Sequence, residues 1–186
     1  MKKTMKIVRK LSAYVLLCCM LLACGAASVE IDDGMGIRPP DIPAVFESPQ
    51  YTDEGYRQTF NDEMTMALYD AINEYRKENG VELLRYNADL DQAAKVRGLE
   101  VSSKFSHERP NEKTFWTAEN YGKTAICAEI FARNFDTAED VMAAFCTSEA
   151  HLAILLDPSY TITGVCCYDD LKGVTYCAVL FGNASF

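Results

Sequence analysis

The chain has 186 residues, 49% of them hydrophobic, and a formal net charge of −9. This length and hydrophobic content suffice for one domain with a buried core. The first 23 residues hold five of the 18 basic residues and no acidic one, so the remaining chain carries −14. That acidic balance argues against nucleic acid as a partner, because phosphates repel a negative surface.

Residues 1–23 have the pattern of a secretion signal. Five basic residues precede an apolar stretch, residues 11–23, that is too short for a comfortable membrane span. The stretch ends in Leu21-Leu22-Ala23-Cys24-Gly25, which resembles the lipobox of bacterial lipoproteins. This resemblance implies cleavage before Cys24, acylation of Cys24, and attachment of the protein to the outer face of a membrane. An ordinary signal peptide cut after Ala26 or Ala27 is the alternative.

Residues 24–51 are predicted to form a flexible tether. Glycine and proline recur along them, and no hydrophobic period survives. The rest of the chain, residues 52–186, has the size of a single domain and contains no internal repeat.

Two helices open this domain. Residues 56–79 have apolar side chains at helical spacing, and Gly80 is placed to end the helix. A second helix is predicted over residues 89–104, started by Asn87 or Asp89. Its apolar side consists of Leu90, Ala93, Ala94, Val96 and Val101.

The second half of the domain mixes strands with a helix. A helical turn is expected near residues 112–121 and a buried strand over 126–132, followed by a third helix capped by Asp136 or Thr137. Strands over residues 162–168 and 174–181 form a hairpin around the turn 169–173. This order predicts an α+β fold, a three-layer α/β/α sandwich with a central antiparallel sheet.

Five cysteines follow Cys24, at positions 127, 146, 166, 167 and 177. An odd number cannot all pair internally, and none has the spacing of a structural zinc site. Most are interpreted as small core residues. A disulfide between Cys167 and Cys177 across the hairpin is compatible with an oxidising compartment, but the sequence does not decide it.

The only two histidines, His107 and His151, both lie in segments dense with other polar side chains. Any imidazole chemistry must use these two residues, since histidine is the usual proton carrier at neutral pH and the commonest metal ligand. Composition alone does not show whether they share one site.

Several motifs in order resemble the CAP superfamily, which covers cysteine-rich secretory proteins, antigen 5 and pathogenesis-related 1 proteins. The opening of CAP sequences is matched by residues 73–80 (NEYRKENG) and 84–90 (LRYNADL), which are similar to it. The two histidine motifs of the family are matched by similar segments here, residues 106–110 (SHERP) and 151–155 (HLAIL). Further matches are residues 158–161 (PSYT), 163–165 (TGV) and 180–182 (LFG). The resemblance covers about residues 64–182 and implies the same sandwich fold.

The resemblance also implies a cleft lined by two histidines and two acidic residues. His107 and His151 match the histidines directly. Glu119 and Glu129 compete for the first acidic position, and we choose Glu129 because the third helix follows it at the family's distance. Ser148 falls near the second acidic position, with Glu149 one residue further.

Two functions are compatible with this cleft. We expect an extracytoplasmic module, anchored through Cys24, that binds a small ligand, a partner or an envelope component and requires no cofactor. Neither Ser106 nor Ser148 is marked as an activated nucleophile, so an enzyme is the less favoured interpretation. The alternative is a metal-assisted hydrolase of peptide or cell-wall material, because two imidazoles (His107 and His151) and a carboxylate match the ligands of an open zinc site.

Overall fold

The computed structural model describes residues 30–31, 59–118 and 124–184. The predicted signal, Cys24, most of the predicted tether and the alternative Glu119 lie outside these residues. The elements are β1 (Glu30–Ile31), β2 (Thr59–Phe60), α1 (Asp62–Glu78), β3 (Arg85–Tyr86), α2 (Ala88–Ser103), a 3₁₀ turn (Phe115–Ala118), β4 (Ala128–Arg133), α3 (Ala138–Phe145), α4 (Glu149–Leu155), β5 (Ile162–Asp169) and β6 (Thr175–Gly182).

Polar side chains set the starts of the first two helices. The Asn61 side chain accepts a hydrogen bond from the backbone N–H of Met64 at 3.0 Å, so α1 begins at Asp62. The predicted start at residue 56 is therefore wrong, because Thr59 and Phe60 pair with β5 instead. Asn87 caps α2 in the same way, and of the two predicted caps it is the one used.

The next two helices are also capped by hydroxyl side chains. Thr137 caps α3 by accepting from the N–H of Asp140 at 3.1 Å, as one of the two predicted alternatives had it. Helix α4, which follows within a few residues, was not predicted as a helix. Its cap is Ser148, whose Oγ accepts from the N–H of His151 at 3.3 Å.

The sheet has the order β1-β4-β6-β5-β2, with antiparallel pairing throughout that path. The predicted hairpin is confirmed as β5 and β6. The short strand β3 pairs with β5 in parallel, which departs from the expected fully antiparallel sheet. At the other side, β1, which lies in the predicted tether, pairs with the end of β4.

Alternating side chains on the central strands divide the core into two parts. On β6, Cys177, Val179 and Phe181 pack towards α1, α3 and α4. The intervening residues, such as Ala178 and Leu180, pack towards α2. The sheet is therefore covered on both faces, and the predicted three-layer α/β/α sandwich is confirmed. No helix within the described residues is long and apolar enough to cross a membrane.

A buried arginine ties α1 to the chain that follows α4. Arg76 is fully buried, and its guanidinium donates to the carbonyl oxygens of Glu82 at 2.8 Å, Leu155 at 2.7 Å, Asp157 at 3.1 Å and Tyr160 at 3.1 Å. The carbonyl of Leu155 is one that helix α4 leaves open at its end, and those of Asp157 and Tyr160 belong to the chain that follows. These bonds therefore fix the position of the helix that carries His151.

The cysteines within the described residues are thiols. Cys167 and Cys177 lie directly opposite each other on β5 and β6, but no disulfide joins them. Burial raises the pKa of the Cys166 thiol well above its usual value, and the pKa of Cys177 is raised by its contact with Cys167 and by burial. These thiols therefore stay protonated and behave as small core residues, as predicted.

Candidate functional site

His107 and Glu129 form a direct pair on the α2 face of the sheet. Nδ1 of His107, in the loop after α2, lies 2.8 Å from Oε1 of Glu129 on β4. The His107 ring packs against the ring of Phe131, with 4.5 Å between centroids, and against that of Phe115 at 6.0 Å. The side chain of Glu129 is fully buried, whereas that of His107 remains 14% exposed.

Arg97 holds the Glu129 carboxylate from its other side. Its Nε donates to Oε2 at 2.8 Å and its Nη2 donates to Oε1 at 2.9 Å. Burial alone would raise the pKa of Glu129, but the charge of Arg97 and the hydrogen bonds from His107 and Arg97 outweigh it and lower the pKa. Because an ionised carboxylate only accepts hydrogen bonds, Nδ1 of His107 is the donor.

The network continues away from the histidine. Arg97 Nη1 donates to Glu100 at 2.7 Å, and Arg109 Nη2 donates to the same carboxylate at 2.8 Å. All these side chains are at most 5% exposed. Arg97 also donates to the carbonyl oxygen of Ser106 at 2.9 Å, directly before His107. Two arginines and two glutamates thus balance in charge and fix the backbone beside His107.

His151 lies on a different layer of the fold. It sits in the first turn of α4, is 1% exposed, and meets the ring of Phe145 edge-on at 5.3 Å between centroids. Helix α4 packs against β4 on the face opposite to Glu129. The structure thus brings His107 and Glu129 into contact, whereas His151 is carried by a helix that packs on the opposite face of β4, so the cleft shared by all three residues stays a prediction.

The sequence profile of the cysteine-rich secretory protein family, CAP, matches residues 69–181. This match covers more than half of the chain and both histidine motifs. The chain belongs to the CAP family. None of the curated proteins matches the sequence at a significant level.

Solved structures share the CAP fold at low sequence identity. An outer surface protein of Borrelia burgdorferi has 19% identity and a TM-score of 0.60, over 69% of this chain and 98% of its own. A cysteine-rich secretory protein of Staphylococcus aureus has 22% identity and a TM-score of 0.50, over 67% of this chain and 39% of its own. An extracellular SCP-domain protein of Bacillus anthracis has 20% identity and a TM-score of 0.54, over 74% of this chain and 45% of its own. This chain therefore spans less than half of the last two proteins.

The buried arginines and Glu100 are the site residues that sequence reasoning missed. A signal was present, because Arg97 falls at helical spacing from Leu90, Ala94 and Val101 on the apolar side of α2. A charged residue within an apolar stripe indicates a buried partner, since isolated buried charges are costly.

The serines of the CAP motifs have structural roles. The Ser148 hydroxyl caps α4, and the Ser106 hydroxyl accepts from the N–H of Glu108 at 3.1 Å. Within the described residues neither hydroxyl has a hydrogen bond with a histidine ring. Glu149, the neighbour of Ser148, is exposed. Neither of these two serines is therefore activated by a histidine base.

The Ser148 cap gives a first prediction. Ser148→Ala is expected to lower the free energy of unfolding by about 1 kcal/mol, because the N–H of His151 loses its acceptor. Ser148→Asp should retain most of the stability, since a carboxylate caps equally well and suits a helix N-terminus. Urea unfolding of the three proteins tests this, and equal losses in both variants would contradict the capping role.

Glu129 gives a second prediction, on pH dependence. Its pKa is lower in the folded protein than the value of about 4.3 in an unfolded chain, so its stabilisation is present above that pH and is lost as the pH falls through the folded value. The stability gap between the wild-type protein and Glu129→Gln should therefore be widest near neutral pH and narrow in acid. Urea unfolding across this range measures the gap. The exposed variant Glu149→Gln serves as the control, and a constant gap for Glu129→Gln would refute the assignment.

Glu129 does not fit the role of a third protein ligand beside two histidines in a zinc site. Both oxygens of Glu129 are already bonded by Arg97 and His107. Within the described ranges no cluster of three or more His, Cys, Asp or Glu residues could hold a metal ion. Glu129 is instead placed to orient the ring of His107, as carboxylates do beside metal-bound histidines.

Proposed function

We propose that this CAP protein is an extracytoplasmic binding module, which holds a small ligand or envelope component in the cleft around His107, Glu129 and His151. The observation that carries the proposal is the saturated carboxylate of Glu129. Because Arg97 and His107 occupy both of its oxygens, Glu129 is poorly suited to take a proton from water or to bind a metal. A rigid, charge-balanced wall instead favours binding by a preorganised surface.

The proposed location outside the cytoplasm rests on the N-terminal signal pattern. The similar structures are those of an outer surface protein, a secretory protein and an extracellular protein, which supports the same location. We further propose that acylated Cys24 anchors the protein to a membrane.

The anchor is tested by growing an expressing bacterial host with labelled palmitate. The wild-type chain should carry the label and sediment with membranes, whereas Cys24→Ala should lose the label. Mass analysis of the mature N-terminus provides the second readout. A mature chain that begins after Ala26 or Ala27 would replace the lipoprotein hypothesis with ordinary secretion.

The binding function is tested by sedimentation of the full-length chain with purified peptidoglycan and, separately, with phospholipid vesicles. We expect binding to one of them to weaken about tenfold, or 1.4 kcal/mol, in His107→Asn or His151→Asn. Glu149→Gln, on the exposed side of α4, should bind like the wild type. Binding that neither histidine affects would place the function elsewhere on the molecule.

The alternative function is a metal-assisted hydrolase, and the Glu129–His107 pair is the observation that favours it. Calorimetric titration with zinc separates the two functions. Tight 1:1 zinc binding that requires His107 and His151, together with turnover of muropeptides that requires both, would replace the binding module with an enzyme. If no zinc binding depends on these histidines, the hydrolase hypothesis is wrong.

A further inference from the structure

A second candidate site lies at the edge of the sheet opposite to Glu129. Strand β6 separates β4, which carries Glu129, from β5. A cavity of about 410 Å³ opens along the outer edge of β5, between α1 and α2. This volume lies within the usual range of small-molecule sites, roughly 300–1,000 Å³. The inference drawn from this cavity does not depend on the proposed function of the histidine cleft.

Two short strands cover the outer edge of β5 incompletely. β2 pairs with the C-terminal end of β5, at Tyr168 and Asp169, and β3 pairs with the N-terminal end, at Ile162 and Thr163. The middle of β5 lies between them and forms the floor of the cavity.

On either side of the gap, backbone groups of β5 that point to its outer edge already have hydrogen-bond partners. The carbonyl oxygen of Thr163 accepts from the N–H of Asn87 at 3.0 Å. The N–H of Cys167 donates to Thr65 Oγ1 at 2.8 Å, and its carbonyl oxygen accepts from the N–H of Asn61 at 2.9 Å. Thr163 and Cys167 thus both direct backbone groups to the outer edge of β5, where these groups form hydrogen bonds.

Val165 is the residue between them. Since backbone groups of alternate strand residues point to the same side, the N–H and the carbonyl oxygen of Val165 face the cavity. Neither β2, which ends at Phe60, nor β3, which ends at Tyr86, reaches Val165 within the described residues. Buried backbone groups require a partner, so this donor and acceptor need water or a ligand. One residue of an extended peptide supplies both complementary groups.

The cavity walls suit an apolar side chain. Phe60 and Tyr69 line it, and Met66 and Tyr86 remain 55% and 57% exposed at its border. Large hydrophobic side chains held in solvent around a concavity are typical of binding sites. Partial burial and the nearby Asp91 carboxylate raise the pKa of Tyr86, so its hydroxyl stays protonated at neutral pH.

A partly exposed ion pair lies on the α2 side of the cavity. Asp91, whose side chain is 9% exposed, accepts a salt bridge from Lys95 at 3.0 Å. The Lys95 ammonium in turn lies 5.8 Å from the centroid of the Phe60 ring. The contact holds Phe60 at the end of β2 beside the gap.

We propose that this cavity binds one apolar or aromatic residue of an L-peptide. The peptide residue exchanges hydrogen bonds with the N–H and carbonyl oxygen of Val165, and its side chain lies among Phe60, Met66, Tyr69 and Tyr86. Because Val165 is the one residue between Thr163 and Cys167 whose backbone groups face the cavity, the bound residue belongs to a bend or an end of the peptide rather than to a long added strand.

The test uses the full-length chain labelled with ¹⁵N-valine and the probe N-acetyl-L-phenylalanine amide. We expect a saturable shift of the Val165 amide resonance, with a dissociation constant on the order of 1 mM. N-acetylglycine amide, which has the backbone alone, and benzyl alcohol, which has the ring alone, should each bind about tenfold more weakly. Binding of benzyl alcohol as tight as that of the full probe would overturn the backbone recognition.

Matched tryptophan variants locate the binding at the cavity. Met66→Trp enlarges a wall residue and should weaken the probe about tenfold, whereas Leu83→Trp, at a site 52% exposed and outside the cavity, should leave affinity within about twofold. The Val165 resonance of the wild-type chain decides the proposal even if a variant misfolds. If the full probe produces no saturable shift there at millimolar concentration, the proposal is wrong.

Discussion

Replacing Arg97 with methionine is expected to lower the free energy of unfolding by about 3–5 kcal/mol, because it leaves buried carboxylates without their cation. Arg97 is fully buried and donates to Glu129 with two nitrogens and to Glu100 with a third. Methionine fills much of the volume but donates no hydrogen bond, so the loss comes from charge and not from a cavity. Urea unfolding near neutral pH measures the difference.

A double variant and a surface control make the result specific to the network. Arg97→Met combined with Glu129→Gln should recover part of the stability, because the uncompensated charge at Glu129 is removed while Glu100 keeps Arg109. Arg85→Met, at an exposed position of β3, should cost no more than about 0.5 kcal/mol. A loss of similar size in Arg97→Met and Arg85→Met would rule out an energetically important buried network.

The elements that the sequence predicted well are those with long periodic signals. Helix α2 and the β5–β6 hairpin lie close to their predicted bounds, because each repeats its apolar pattern several times. Helix α4 has only seven residues, two turns, and offers too short a period to detect. Strand β3 has two exposed residues, so its parallel pairing with β5 has no hydrophobic signal at all.

The candidate site was predictable only in part, for a different reason. The CAP resemblance, through the family's distance to the third helix, selected Glu129 over Glu119, and the structure places Glu129 against His107. Its partner Arg97 is 32 residues earlier in the chain, and no local pattern links the two. Charged side chains are exposed by default, and only the assembled sandwich brings α2 over β4. Long-range pairing of this kind follows from the tertiary fold and not from local sequence.

Gly164→Ala should also be severely destabilising, by about 3 kcal/mol or more, although it adds a single methyl group. The N-terminal turn of α2 crosses β5 directly at Gly164. A β-carbon there would collide with the backbone of Leu90 and Asp91, and backbone atoms cannot rotate away as a side chain can. Relief requires α2 to move off the sheet, which opens the core around Leu90 and displaces Arg97 from Glu129. Urea unfolding measures the loss.

Gly173→Ala is the matched control, because it adds the same methyl group where nothing lies within 4 Å. Gly173 has a φ of +77°, so alanine there should cost only about 1–2 kcal/mol of backbone strain. A displaced α2 should also shift the resonances of His107 in Gly164→Ala, while Gly173→Ala leaves them unchanged. If both variants lose the same stability and keep the same histidine resonances, close packing of α2 on β5 does not control the geometry of the site.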